Sequence, residues 1–140
     1  MMLELLEEIE AQTGSLQFDT DRQAIAVRCA QFITREIYTV LLARPQAGGA
    51  PLGFVALTEA HALYAGGLFG LIPEFYVRPG FRSEGIGSAL VAAAKGLGRD
   101  RGWARLEVTT PPLPQFERTL HFYEAQGFEV AGGRKMKVRL

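Results

Sequence analysis

YVRPGFRSEGIGSAL, residues Tyr76 to Leu90, decides how the rest of this chain reads. It opens on an extended Tyr-Val, breaks at Arg78-Pro79-Gly80, and sets Arg82, Ser83, Gly85 and Gly87 around the start of a helical pattern at Ile86. Such a passage from strand to helix has two readings. Glycine at 85 and 87 suits a tight turn whatever the function. The same glycines, lacking Cβ atoms, also let an anion approach the amides that a helix N-terminus leaves unpaired, where the helix carries about half a positive charge. Arg82 adds a charge that persists at all working pH. The pattern is not a P-loop, since no Gly-Lys-Ser/Thr follows, and it has one glycine too few for a dinucleotide fingerprint.

Working outward, LFGLIPEFYV (Leu68–Val77) leads into the turn as a strand. Pro73 cannot donate a ladder hydrogen bond, so that strand is irregular or bulged there. Beyond the turn, Ile86, Leu90, Ala94 and Leu97 share one face of a helix over about Gly85–Asp100, which Gly96 and Gly98 weaken and Gly102 stops. ARLEVTT (Ala104–Thr110) is a strand broken by Pro111, Pro112 and Pro114. Phe116, Leu120 and Tyr123 mark a helix stripe, with Gly127 suited to the left-handed position after its end and Phe128 packing back over the last turn. FEVAGGRKMKVRL closes as a short hairpin or strand pair around Gly132-Gly133. On the N-terminal side, EIYTVLLAR (Glu36–Arg44) and LGFVALTEA (Leu52–Ala60) pair across a turn of Pro45 and AGGAP. Met2, Leu6 and Ile9 repeat at helical spacing away from Glu4, Glu7 and Glu8, and Gly14 ends that opening helix. A second helix, capped by Asp19 or Thr20, runs through RQAIAVRCAQFITR.

Length and composition bound the class. At 140 residues, 48% apolar and 21% charged, with a formal net charge of zero, the chain reads as one globular domain, 1–140, able to bury a core. The sole cysteine, Cys29, cannot form an internal disulfide and reads as a small buried apolar residue of the second helix. No apolar run approaches the ~20 residues that cross a bilayer. The opening MMLELLEEIE carries glutamates where an export signal wants basic residues, so the cytoplasm is the expected location. Residues 1–70 hold 4 Lys/Arg against 8 Asp/Glu, and residues 71–140 hold 11 against 7. The balance argues against a dedicated nucleic-acid binder.

The segment from the strand through Arg82-Ser83-Glu84-Gly85-Ile86-Gly87 into the helix resembles the signature of the GNAT superfamily of N-acetyltransferases, Arg/Gln-x-x-Gly-x-Gly/Ala. FYEAQGFE (Phe122–Glu129) resembles the family's second landmark, and GWARLEVTT lies where the family places its fifth strand. The matches keep their order over residues 68–140. The resemblance implies a mixed α/β (α+β) fold: a central mixed, mostly antiparallel sheet, splayed at the acetyl-CoA site and flanked by about four helices. The family's usual first strand is missing ahead of the opening helix. It also implies acetyl-CoA as co-substrate and no metal. Phe75, Tyr76 and Val77 would line the pantetheine arm, and Arg82, Ser83, Glu84, Gly85, Ile86, Gly87 and Ser88 the pyrophosphate. The sequence departs from the pattern at Phe116, where the family commonly has an Asn that touches the cofactor; Gln115 is the neighbouring substitute.

Acetyl transfer to an amine makes three demands: the amine must lose its proton, the oxyanion must be stabilised, and the departing thiolate must be protonated. By the resemblance, Glu74 stands where many members carry a glutamate base acting through water. The alternative is a surface glutamate salt-bridged to Arg78 or Arg82. The Val77 N–H would face the thioester carbonyl. Tyr123 is the candidate acid; reference pKa values of ~10 for a phenol and ~8.5 for a thiol make that transfer uphill by only ~2 kcal/mol. Its alternative is a core aromatic. His61 and His121 lack a catalytic or metal-binding constellation and read as structural.

The expected function is therefore transfer of an acetyl group from acetyl-CoA to a primary amine by direct attack. The alternative is a CoA-binding or regulatory module without efficient turnover. The acceptor is expected near Gln12–Asp19 and Ala131–Arg134, and the reading leaves room for a homodimer.

Overall fold

The computed structural model describes residues 1–14, 18, 21–131 and 135–138. The chain opens on helices α1 (Met2–Thr13) and α2 (Arg22–Thr34), followed by strands β1 (Thr39–Ala43), β2 (Gly53–Ala62), β3 (Gly67–Ile72) and β4 (Phe75–Val77). Helix α3 (Ile86–Asp100), strand β5 (Leu106–Val108) and helix α4 (Glu117–Ala125) complete the order. β2 is the spine of the sheet. Its first half pairs antiparallel with β1 on one side and β4 on the other, its second half pairs antiparallel with β3, and β3 pairs parallel with β5. The sheet is mixed and mostly antiparallel, as the resemblance implied.

β3 and β4 are one strand interrupted. Thr58 faces Leu71 and Gly53 faces Val77, so the register slips by one residue between them, and Ala56 N–H donates to Glu74 O at 2.9 Å. The extra residue is Pro73. A proline with no N–H costs the ladder nothing at a bulge, which is where the expected irregularity falls.

Two clusters form the core, one on each face. Val55, Leu57, Ile72, Val77, Leu90, Ala94 and Tyr123 join β2–β4 to α3 and α4. Phe54, Ala56 and Tyr76 on the other face pack with Met1, Met2 and Leu5 at the start of α1 and with Tyr38 and Val40. Alternation along β4 places Phe75 and Val77 on the α3–α4 face, Glu74 and Tyr76 on the α1 face.

α3 and α4 end alike. Gly102 (φ 72°) and Gly127 (φ 80°) take the left-handed position, and the following Trp103 and Phe128 amides reach back to Gly98 O (2.8 Å) and Tyr123 O (3.0 Å). These are the bonds of a Schellman end. Trp103 then folds over Gly98, where a β-carbon would stand 2.8 Å from its ring. The glycine that weakens the helix makes room for the indole.

Four expectations change. Asp21 caps α2, its carboxylate accepting from the Gln23 (2.9 Å) and Ala24 (3.1 Å) amides, while Asp19 and Thr20 lie outside the described residues. β1 starts at Thr39 instead of Glu36, because Glu36, Ile37 and Tyr38 still donate to carbonyls of the last turn of α2. Cys29 is exposed: the apolar residues of α2 are spread around the helix, which therefore buries no side chain fully. Residues 128–131 and 135–138 form no strand, and Val130, Met136 and Val138 are exposed, so the alternation there has no sheet to face; Gly132 and Gly133 lie outside the described residues.

Candidate active site

The sheet parts where β4 leaves β3. Parallel pairing of β3 with β5 ends at Ile72 and Val108, and the run Thr109-Thr110-Pro111-Pro112 beyond Val108 forms no strand. β4 pairs with β2 alone among the described residues. Because Glu74 O accepts from Ala56 of β2 and Arg78 N–H donates to Leu52 O just ahead of β2 (2.9 Å each), antiparallel alternation turns the backbone groups of Phe75 and Val77 toward the gap and those of Tyr76 toward β2. Phe75 and Val77 thus offer amides at the opening, and Tyr76 contributes its ring.

On the α1 face, Glu74 is half-buried and makes no ion pair among the described residues. Arg78 bonds to Glu4 of α1 (3.3 Å), and Arg82 holds Glu8 of α1 through both terminal nitrogens (2.9 and 2.7 Å). The salt-bridged alternative for Glu74 is not the arrangement found. Its partner is Tyr38, whose hydroxyl donates to Oε1 at 3.4 Å. Burial raises the Glu74 pKa, and the Tyr38 bond opposes that rise. Burial and the nearby carboxylate push the Tyr38 phenol up to about 12.

Beyond Val77, Pro79–Phe81 form one 3-10 turn, and the chain enters α3 through two left-handed residues, Ser83 (φ 65°) and Gly85 (φ 81°). After Arg82, the first amide to find a backbone acceptor is Ala89, which donates to Gly85 O at 2.9 Å, and no side chain caps the helix. Among the described residues the amides from Ser83 to Ser88 have no backbone acceptor, as at the open start of a helix. Arg82 stands beside them, its Nε donating to Val77 O (2.8 Å) and its guanidinium over the Tyr76 ring (5.5 Å). A diphosphate fits this turn. Gly87 has another reason to be glycine: a β-carbon there would meet the Phe122 ring at 3.2 Å, so it lets α4 approach α3. Gln126 ties the same two helices, donating its side-chain amide to Ser88 Oγ (3.1 Å) while its carbonyl accepts from Lys95 Nζ.

Tyr123 is 4% exposed, its ring packed between Phe122 and Phe128 at 5.2 Å each. Burial pushes its phenol far above the ordinary value, so the hydroxyl keeps its proton. Tyr123 and Glu74 approach the same gap from opposite faces of the sheet.

A cleft of about 710 Å³ runs through that gap, walled by Leu5, Glu8 and Gln12 of α1, by Glu74–Val77, by the α3 turn, and by Gln115–Tyr123. It gathers Glu74, Phe75, Tyr76, Val77, Arg82, Ser83, Gly85, Gly87, Ser88 and Tyr123. Two expected residues lie off it: Glu84 is exposed, and Ile86 packs into the α3–α4 core. Gln115 lines the cleft, and so does Phe116, although its side chain is buried. Of the expected acceptor segments, Gln12 lines this cleft, Ala131 is exposed, and residues 15–17, 19–20 and 132–134 lie outside the described set. Sequence reasoning missed Tyr38, Glu4 and Glu8. The surplus of acidic residues in the first half of the chain was the only signal for the two glutamates, and nothing local marked Tyr38.

Comparison with known proteins agrees with this fold. Residues 35–130 match the family model of the acetyltransferase (GNAT) domain. No curated protein sequence matches the chain. Among solved structures, a candidate acetyltransferase from Arthrobacter sp. FB24 is 32% identical, with a TM-score of 0.67 over 99% of this chain and 86% of that one. An integron cassette protein from the mobile metagenome of Cole Harbour Salt Marsh is 26% identical, with a TM-score of 0.72 over 99% and 82%. AAC(6')-Iy, solved with a bisubstrate analog of CoA and acetylneamine, shares the fold at 20% identity and a TM-score of 0.72 over 99% and 91%. The matched residues include the strand, the left-handed turn into α3 and the α4 end that closes against it, and the chain belongs to the GNAT acetyltransferase family.

Proposed function

We propose that this protein is an N-acetyltransferase that takes the acetyl group from acetyl-CoA and gives it to a primary amine by direct attack. The observation that carries the reading is the opposition of Glu74 and Tyr123 across one gap, with the Phe75 and Val77 amides turned into it. When bound, acetyl-CoA supplies an activated acetyl thioester, whose C–S bond breaks as the C–N bond forms. Glu74, with its pKa raised by burial, receives the amine proton, directly or through a water. The Val77 N–H stabilises charge on the carbonyl oxygen. Tyr123 holds its proton toward the departing sulfur. Its raised pKa makes complete proton loss costlier than the ~2 kcal/mol of the reference values, so it acts chiefly as a hydrogen-bond donor. Arg82 and the amides of Ser83, Gly85, Gly87 and Ser88 hold the diphosphate.

The test is thiol release from acetyl-CoA over a panel of amines, for the parent, Glu74→Gln and Tyr123→Phe, with CoA affinity measured separately. Amine-dependent release is expected. Glu74→Gln should lower kcat/KM by ~10²–10⁴-fold, and Tyr123→Phe should lower kcat with the Kd for CoA unchanged. If no amine accelerates release although CoA binds, the alternative of a CoA-binding module takes over. If Tyr123→Phe costs nothing with any amine, the tyrosine is a core residue only.

A further inference from the structure

The gap opens, beyond the bulge, into a second cavity of about 490 Å³. Ile9, Ile72, Pro73, Val108, Thr109 and Pro111 line both cavities, so the two are contiguous around the end of β3. We infer that this second cavity takes the body of the acceptor, and that the acceptor is a primary monoamine on an apolar body, uncharged or singly anionic, rather than a polycation. The inference rests on the acetyltransferase reading of the gap and adds the substrate class to it.

Two features of the walls carry it. The first is their apolar character: Phe18, Leu71 and Pro112 join the shared residues, and the uncharged polar groups there include the hydroxyls of Thr13 and Thr110. A cavity of this volume and lining holds a small organic body by burying its surface. The second feature is charge. Among the described residues, the carboxylates lining the two cavities are Glu8, Glu74 and Glu107, and the cations are Arg82, Arg118 and Lys135. Glu8 is engaged by Arg82, and Glu107 by Arg105 at 2.5 Å. That leaves Glu74, which serves one amine. A second or third ammonium would enter an apolar cavity whose described carboxylate is already paired and where Lys135 faces it, and an unpaired charge taken out of water is strongly disfavoured. Lys135 does the reverse for a carboxylate.

The experiment measures binding and turnover separately. Calorimetry on the protein saturated with CoA compares 2-phenylethylamine with spermidine, for the parent and for Thr110→Glu, which sets a new carboxylate in the wall. Product analysis with acetyl-CoA follows for the same amines. 2-Phenylethylamine should bind the parent at least about tenfold more tightly than spermidine, and Thr110→Glu should narrow or reverse that ratio. Equal or tighter binding of spermidine by the parent overturns the inference, as does binding of neither amine or a ratio that Thr110→Glu leaves unchanged. If 2-phenylethylamine binds as expected but no acetylated product forms, the acceptor class stands and the acetyltransferase reading falls.

Discussion

Glu74 is held between two opposed influences. Burial raises its pKa, and the hydrogen bond from Tyr38 lowers it. Tyr38→Phe removes the lowering influence and keeps the ring, which packs on Phe32 at 5.0 Å. The pKa of Glu74 should rise further, and the acidic limb of the kcat/KM profile should move to higher pH, with the plateau above it retained. A profile that does not move would mean that Tyr38 does not act on the base. Stability should show the same group from the other side. A carboxyl whose folded pKa lies above its unfolded value, about 4.3, gives stability that is full below the unfolded value and lost as pH rises through the folded one. Once ionised, Glu74 therefore costs stability. Glu74→Gln should melt higher than the parent at pH 8, and that advantage should vanish by about pH 4. Melts at the two pH values would read it directly.

At the scale of elements, small residues decide how closely large ones approach. Gly70 on β3 and Gly98 on α3 face the same Trp103 ring, and a β-carbon at Gly70 would stand 2.2 Å from it. Gly70→Ala should destabilise the fold by about 1–3 kcal/mol, the usual range for overpacking. Denaturant melts would measure it; a change below 0.5 kcal/mol, taken as roughly the limit for an innocuous surface change, would mean that the indole is free to move. The two glycines of the anion turn separate in the same way. A β-carbon at Gly85 meets no atom within 4 Å, but its φ of 81° strains any other residue, at about 1–2 kcal/mol. One at Gly87 presses on Phe122 and, through α4, shifts Tyr123. Gly87→Val should therefore disturb kcat as well as CoA binding.

The whole molecule joins its acidic and basic halves at the site. The acidic edge of α1 reaches across the α1 face so that Glu4 meets Arg78 and Glu8 meets Arg82. The charge asymmetry along the chain is therefore resolved within the fold. Glu8 also competes with any anion for Arg82, so Glu8→Gln should tighten CoA binding and leave binding of pantetheine, which lacks the diphosphate, unchanged. Equal effects on both ligands would point to a general loosening of α1. Acetyl-CoA at ~100 times its Kd adds about 2.7 kcal/mol to the folded state. Spread over the unfolding entropy of a chain of 140 residues, that is a rise in Tm of roughly 9 °C. No rise would remove the donor site.

The local chemistry of the chain determined much by itself. A proline cannot donate, so the break at Pro73 was legible before any fold. Glycine tolerates a left-handed backbone, so Gly14, Gly102 and Gly127 marked helix ends, and Gly85 marked the turn into α3. Periodicity placed the faces of α3 and α4 because one stripe of each is apolar. The tertiary structure decided everything that depends on residues far apart in sequence. Tyr38 becomes the partner of Glu74 only because β1 and β4 flank the same half of β2. Arg78 and Arg82 pair with Glu4 and Glu8 instead of Glu74 because α1 presents those two carboxylates to them. Cys29 and the closing segment were misread for the complementary reason: apolar content in a window says that burial would be favourable, but whether a surface arrives to cover it is settled by packing, which no local pattern records.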